Sequence, residues 1–201
     1  MGFIKSILGS IKATIASGFI LAILIATFGF VPYGSVNVLE LTVWLHVIVG
    51  ITWIGLLYYF NFVQVPAMGA ALADSDGPGP AAIGKYVAPR ALLWFRMSAA
   101  LTWLTGVSAL ESTGVGIINA FTFANPQATT IGLGAWFGTV MLFNVWVLIW
   151  PNQKKILGMV EATADEIAKA KVTASMASRI NVVLSIPLLL SMTAFAHGNI
   201  M

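Results

Sequence analysis

The sequence predicts an all-α integral membrane protein: a bundle of five transmembrane helices forming a single membrane domain over residues 1–201, with a cytoplasmic N-terminus and a periplasmic C-terminus. Three observations predict it. Apolar stretches of about 20 residues recur with almost no ionisable residue inside them, the length a helix needs to cross the hydrocarbon core. Hydrophobic residues make up 59% of the chain and charged residues 8%, with mean hydropathy +0.92, whereas soluble domains carry roughly 25% charged residues. The ten Lys and Arg residues also all fall on one side of a five-span threading.

The first span, 13–30, follows a short segment carrying Lys5 and Lys12. It is read as a retained helix because the Pro32-Tyr33-Gly34-Ser35 stretch offers no small-x-small cleavage site. The second, 39–65, holds Trp44, His46, Gly50, Trp53 and Tyr58-Tyr59 and is expected to close at Pro66. The turn chemistry of Asp74-Ser75-Asp76-Gly77-Pro78-Gly79-Pro80 marks the loop that follows. Span three, 91–110, contains Trp94-Phe95-Arg96 and Trp103; span four, 131–150, contains Asn144 and is expected to end at Pro151. Span five, 180–196, contains Pro187, which a membrane helix tolerates. Thr163-Ala164-Asp165-Glu166 reads as a capping box opening a short interfacial helix on the cytoplasmic surface, with Asp165 and Lys169 as an i,i+4 pair. The half-apolar segment 112–130 is expected to dip into the interface or to pack on another subunit.

Lys and Arg accumulate in short cytoplasmic loops. Lys5 and Lys12 precede span one; Lys85, Arg90 and Arg96 lie between or just inside spans two and three; Lys154, Lys155, Lys169, Lys171 and Arg179 lie between spans four and five. The opposite side carries none, so five spans with the N-terminus inside satisfy the rule without exception. A bacterial inner membrane is the expected location.

Cysteine is absent, which excludes disulfides, thiolate metal sites, iron–sulfur clusters and covalently attached c-type haem. No phosphate-binding loop, hydrolase triad or HExxH motif is present, and nothing suggests a nucleic-acid partner. The chemistry rests on two histidines. His46 lies about seven residues into span two, roughly 10 Å below its outer end, and His197 closes span five on the same side. Two antiparallel helices thus carry the only imidazoles toward the outer leaflet, an arrangement suited to bis-imidazole ligation of haem b. In this reading Gly50, one turn below His46, leaves a flat surface for the macrocycle, Trp53 continues that face, and Arg96 snorkels or binds a propionate or an acidic lipid. The alternative stands beside it: His46 hydrogen-bonds across the bundle and His197 is a wet terminal residue. Asn144, Asn181, Ser185 and Ser191 are expected between helices, with Gly132, Gly134 and Gly138 allowing close packing. Trp44, Trp94, Trp146, Trp150 and the Tyr58-Tyr59 pair are expected to anchor the interfaces, and Glu40, about two turns from His46, is a further candidate for proton transfer.

Trp44-Leu45-His46-Val47-Ile48, Gly50-Ile51 and Trp53-Ile54-Gly55 resemble the opening helix of the membrane domain in the bacterial urate oxidase N-terminal family. Further pieces follow in the same order: Lys85-Tyr86 with Pro89, Trp94-Phe95-Arg96 where the family tends to have Lys, and Thr102-Trp103-Leu104 with Gly106. Gly138-Thr139 with Met141, Asn144-Val145, Pro151 with Gln153, Asn181, and Leu184 with Ile186-Pro187 lead to His197, so the resemblance covers about 39–198. It implies a multi-helix membrane domain in a redox setting, with histidine at both positions, whose full-length relatives pass electrons to a C-terminal cytochrome c. The sequence departs from those relatives in having no Cys, an extra N-terminal helix and fewer helices between the counterparts of spans three and four. It is therefore not expected to oxidise urate alone. The His46 segment is also loosely similar to small haem-associated membrane proteins of the protoporphyrinogen oxidase type.

Two functions follow. One is a small haem b-binding membrane protein of electron transfer, working with a cytochrome c or another redox partner. The other is a non-catalytic accessory subunit packed in the bilayer against a larger membrane respiratory or oxygenase complex, as part of a homo- or hetero-oligomer.

Overall fold

The computed structural model describes residues 2–29 and 37–198. The end of the first expected span and the Pro32–Ser35 stretch lie outside them. The described residues are helical, with no strand among them, and the chain divides into two compact units, 1–41 and 42–201.

In the first unit, α1 (Gly2–Leu8) is followed by α2 (Ile11–Leu24). Ser10 caps α2, its hydroxyl accepting from the Ala13 N–H at 3.5 Å. None of the residues of α2 is buried, and its apolar surface runs all round, as suits a helix solvated by lipid. At the other end of this unit Asn37 opens the next helix, its side-chain oxygen accepting from the N–H groups of Leu39 and Glu40.

That helix, α3 (Val38–Ala73), continues through the second unit. It is joined there by α4 (Ala88–Ser112), the short α5 (Ile117–Thr122), α6 (Pro126–Ile156) and α7 (Ala164–His197). Their common core is Trp53, Leu57 and Phe60 of α3, Phe95 and Ala99 of α4, Met141 and Val145 of α6, and Ala177 and Leu188 of α7. A second cluster gathers Leu110, Val115, Ala120, Ala128 and Ile131 around α5.

Pro66 and Pro151 do not end their helices as the sequence suggested. Each follows a widened π-helical turn, Phe60–Gln64 and Asn144–Ile149, and a third such turn, Ile83–Val87, precedes Pro89 at the start of α4. The residue before each proline reaches back five positions: Val65 N–H to Phe60 O, Ala88 to Ile83 O, and Trp150 to Val145 O. Proline lacks an N–H and presses on the carbonyl four residues back. Widening the turn before it relieves that pressure and lets the helix run on. Gly198, at φ +94°, ends α7 instead.

Four helices are long and apolar enough to cross a membrane: Ile11–Phe28, Val38–Ala73, Pro126–Ile156 and Ala164–His197. They indicate a multi-pass membrane protein. The expected third span, 91–110, is helical as part of α4 but falls outside this set, because Arg96, Ser98, Thr102 and Thr105 lower its hydropathy. The expected interfacial helix is not separate either. Its capping box forms, with Thr163 Oγ1 accepting from Glu166 N–H and Glu166 accepting from Thr163 N–H, but it opens the 34-residue α7. The buried small-residue stripe Ala170, Ala174 and Ala177 carries that helix into the bundle. The ion pair there is Lys155–Glu166 at 3.5 Å rather than Asp165–Lys169.

Segment 112–130 turns back on the chain itself. Gly116 at φ +80° starts α5 and Phe123 at φ +55° ends it. α5 then lies against α6 so closely that a β-carbon on Gly132 would sit 2.1 Å from Ala120 O. Trp136 Nε1 donates to Phe121 O at 3.0 Å, and the two rings meet edge to face.

Candidate functional site

His46, Gly50 and Trp53 fall at i, i+4 and i+7, hence on one face of α3. That face meets α4. A β-carbon on Gly50 would lie 3.8 Å from Thr102 Cγ2, and one on Gly106 would lie 3.0 Å from His46 Cε1 and 3.4 Å from Nδ1. The imidazole is therefore backed directly by the bare helix surface at Gly106.

Two hydrogen bonds fix the ring. Nδ1 lies 2.9 Å from Thr102 O and 3.1 Å from Thr105 Oγ1. A carbonyl oxygen only accepts. The Thr105 hydroxyl spends its hydrogen on the carbonyls of Leu101, at 2.7 Å, and Thr102, at 3.1 Å, so toward the ring it also accepts. Nδ1 must then be the donor, and in the neutral ring Nε2 keeps its lone pair. A histidine held by a backbone carbonyl through one nitrogen, with the other free to bind, is the arrangement found behind metal-ligating imidazoles.

The other expected site residues are placed differently. Trp53 is 2% exposed within the core, and its indole N–H has no hydrogen-bond partner. Arg96 lies ten positions before Gly106, roughly 15 Å away along α4, where its guanidinium carbon stacks 3.8 Å from the centre of the Trp150 ring. His197 is exposed at the end of α7, and no hydrogen bond among the described residues joins it to His46. Beside its helix is a groove of about 810 Å³ whose lining includes Leu133, Phe137, Pro187, Leu190 and Ala194. Ala194 is one turn before His197 on the same face. Among the described residues no group of three or more His, Cys, Asp and Glu is placed to hold a metal ion; a haem asks for two ligands at most.

A buried polar seam ties α3, α6 and α7 together. Tyr58 and Ser185 share a hydrogen bond at 2.9 Å, Asn61 donates to Ser178 Oγ at 2.8 Å, and Asn144 donates to Asn181 Oδ1 at 2.7 Å. Asn181 in turn donates to Met141 O at 3.0 Å. The hydroxyl of Ser191 is inserted into the ladder of α6, donating to Thr130 O and accepting from Gly134 N–H at 2.9 Å. The Asn144, Asn181, Ser185 and Ser191 roles were legible from residue type. Tyr58, expected by residue type at the membrane interface, and Asn61 were not.

Residues 113–200 match the family model described as urate oxidase N-terminal. Over this segment, less than half of the chain, the sequence is similar to the urate oxidase N-terminal family. The match takes in α5, α6 and α7, including Asn144, Asn181, Pro187 and His197, while the His46 and Arg96 segments lie before it. No curated protein and no solved structure matches the chain.

Proposed function

We propose that this chain is a haem b-binding membrane protein of electron transfer, with His46 as an iron ligand through Nε2 and His197 as the second imidazole. The observation that carries the reading is the orientation of His46 by Thr102 O and Thr105 Oγ1, which commits Nδ1 as donor. Haem b supplies one-electron exchange at its iron. The chain's own residues supply the rest: Thr102 and Thr105 orient the imidazole and raise its basicity, Gly106 gives it room, and the apolar helices keep water away. The groove beside Ala194 has the size of a small-molecule site and an apolar lining. Gly50 and Trp53, being packed against or between helices, take the role of holding the wall behind His46 rather than facing a macrocycle. The electron partner would be a cytochrome c or a larger redox complex of the bacterial inner membrane, consistent with the family's redox setting.

In the same proposal α4 is the fifth span, with the N-terminus inside and the C-terminus outside. Its 25 residues extend about 37 Å at 1.5 Å per residue, more than the roughly 30 Å of hydrocarbon. Its low hydropathy overstates its polarity, since Ser98, Thr102 and Thr105 each donate to a carbonyl of their own helix.

The test is a reduced-minus-oxidised absorption spectrum of detergent-purified protein made in haem-replete cells. A b-type α band supports the reading. A second reading, the accessory subunit of a larger membrane complex, draws on the exposure of His197 at the end of α7; it predicts a colourless chain that co-purifies with that complex, and this outcome would replace the first.

A further inference from the structure

Two cations share one indole at the π-turn end of α6. The Arg96 guanidinium carbon lies 3.8 Å from the centre of the Trp150 ring, and Lys154 Nζ lies 6.0 Å from it. Both side chains are half-buried. Among the described residues neither has a carboxylate within 4.0 Å; the nearby acid that does pair, Glu166, is taken by Lys155. A ring quadrupole attracts each cation but does not neutralise either, and at a bilayer surface an uncompensated pair of like charges is costly. These residues also sit on the side of the chain where all the basic residues gather in the proposed threading, the side that faces the anionic cytoplasmic leaflet.

We propose that Arg96, Trp150 and Lys154 form a binding site for the phosphate of an anionic membrane lipid. Arg96 offers a planar fork of donors suited to two phosphate oxygens. Trp150 holds that fork flat at interface depth. Lys154, one turn after Trp150 on the same face, supplies the second charge. Pro151 and the widened turn Asn144–Ile149 before it keep α6 helical through this point, so the Trp150–Lys154 spacing is fixed by the backbone. The proposal depends on the threading of α4 and α6 but not on haem, so a colourless protein leaves it standing.

The test is native mass spectrometry of the detergent-purified full chain titrated with phosphatidylglycerol, with phosphatidylcholine and, separately, with inorganic phosphate. The expected result is retention of phosphatidylglycerol over phosphatidylcholine. Arg96→Gln and Lys154→Gln should each weaken it about fivefold, the change that about 1 kcal/mol per basic residue near an anionic surface gives, while Lys171→Gln leaves it unchanged. Lys154→Gln removes a single side chain near the end of α6, so it serves as the readout if Arg96→Gln fails to fold, as judged by circular dichroism. Equal retention of the two lipids, or equal loss in the Lys171 variant, overturns the proposal. Displacement of the lipid by millimolar inorganic phosphate would assign the site to a free anion instead.

Discussion

Gly106→Ala is the smallest change that separates the cradle of His46 from the general packing of α3 on α4. The added methyl carbon would stand 3.0 Å from His46 Cε1 and 3.4 Å from Nδ1, whereas carbon atoms settle at about 3.5–4.0 Å. The ring must back away from α4 by roughly 0.5 Å, which takes the 2.9 Å bond to Thr102 O past the outer limit of about 3.2 Å. Losing it costs about 1 kcal/mol. Alanine is a better helix former than glycine by a similar amount. The two terms nearly cancel, so the melting temperature should barely move while the imidazole changes. The assay is proton–nitrogen NMR of protein carrying labelled histidine. With two histidines in the chain, a His197→Gln background assigns His46 outright. The wild type should show a slowly exchanging, downfield Nδ1–H, and Gly106→Ala should lose it. Gly50→Ala, whose methyl would meet Thr102 Cγ2 at an ordinary 3.8 Å, should keep it. An unchanged Nδ1–H in Gly106→Ala, or its loss in both variants, would refute the reasoning.

Gly132→Ala should destabilise the protein by 2 kcal/mol or more, since its β-carbon meets the Ala120 carbonyl oxygen at 2.1 Å and backbone cannot step aside. Gly55→Ala, with nothing within 4 Å, should be neutral or slightly stabilising; thermal unfolding in detergent compares the two. Asn181→Leu leaves the buried Asn144 side-chain amide without its partner and removes the second hydrogen bond to Met141 O, and a loss of about 1–3 kcal/mol is expected in denaturant unfolding. Because the native chain has no Cys, single cysteines introduced at Ser75 and Gln127 test the five-span threading, the first labelling only from the cytoplasmic side and the second only from the outside. Glu166 lies in the part of α7 that projects beyond the membrane, for 34 residues make about 51 Å against roughly 30 Å of hydrocarbon. The Thr163 N–H first, then Lys155, hold its carboxyl below the usual range. A carboxyl depressed in the fold stabilises it above its unfolded pKa and loses that contribution as pH falls through its folded value. Protection factors of the amides in the first turn of α7, taken against the intrinsic exchange rate at each pH, should therefore fall in acid, and Glu166→Gln should flatten that dependence.

The helical class and the apolar spans followed from charge-free stretches, and the capping box at Thr163 from local chemistry alone. Boundaries failed at Pro66 and Pro151 because a proline was weighed against an α-helical ladder, and the widened turns that accommodate it leave no mark in residue type. Tyr58 was expected at the membrane interface by residue type, and its partner Ser185 lies 127 residues away. α4 was read as a span from its length and pattern, and its hydroxyls, satisfied within the helix, are what a hydropathy sum counts against it. His46 stood out as an imidazole in an apolar helix. Its orientation did not, since Thr102 O is a backbone atom 56 residues away. For His197 and Arg96, the end of the helix that each occupies yields depth in the bilayer, whereas contact depends on how each helix is turned.

The central claim, that His46 holds haem, is tested most directly by the reduced-minus-oxidised spectrum of His46→Ala set against the wild type, with circular dichroism confirming that both are folded. The account predicts a b-type band with equimolar haem in the wild type and loss of that band in the variant. An undiminished band in folded His46→Ala would contradict it.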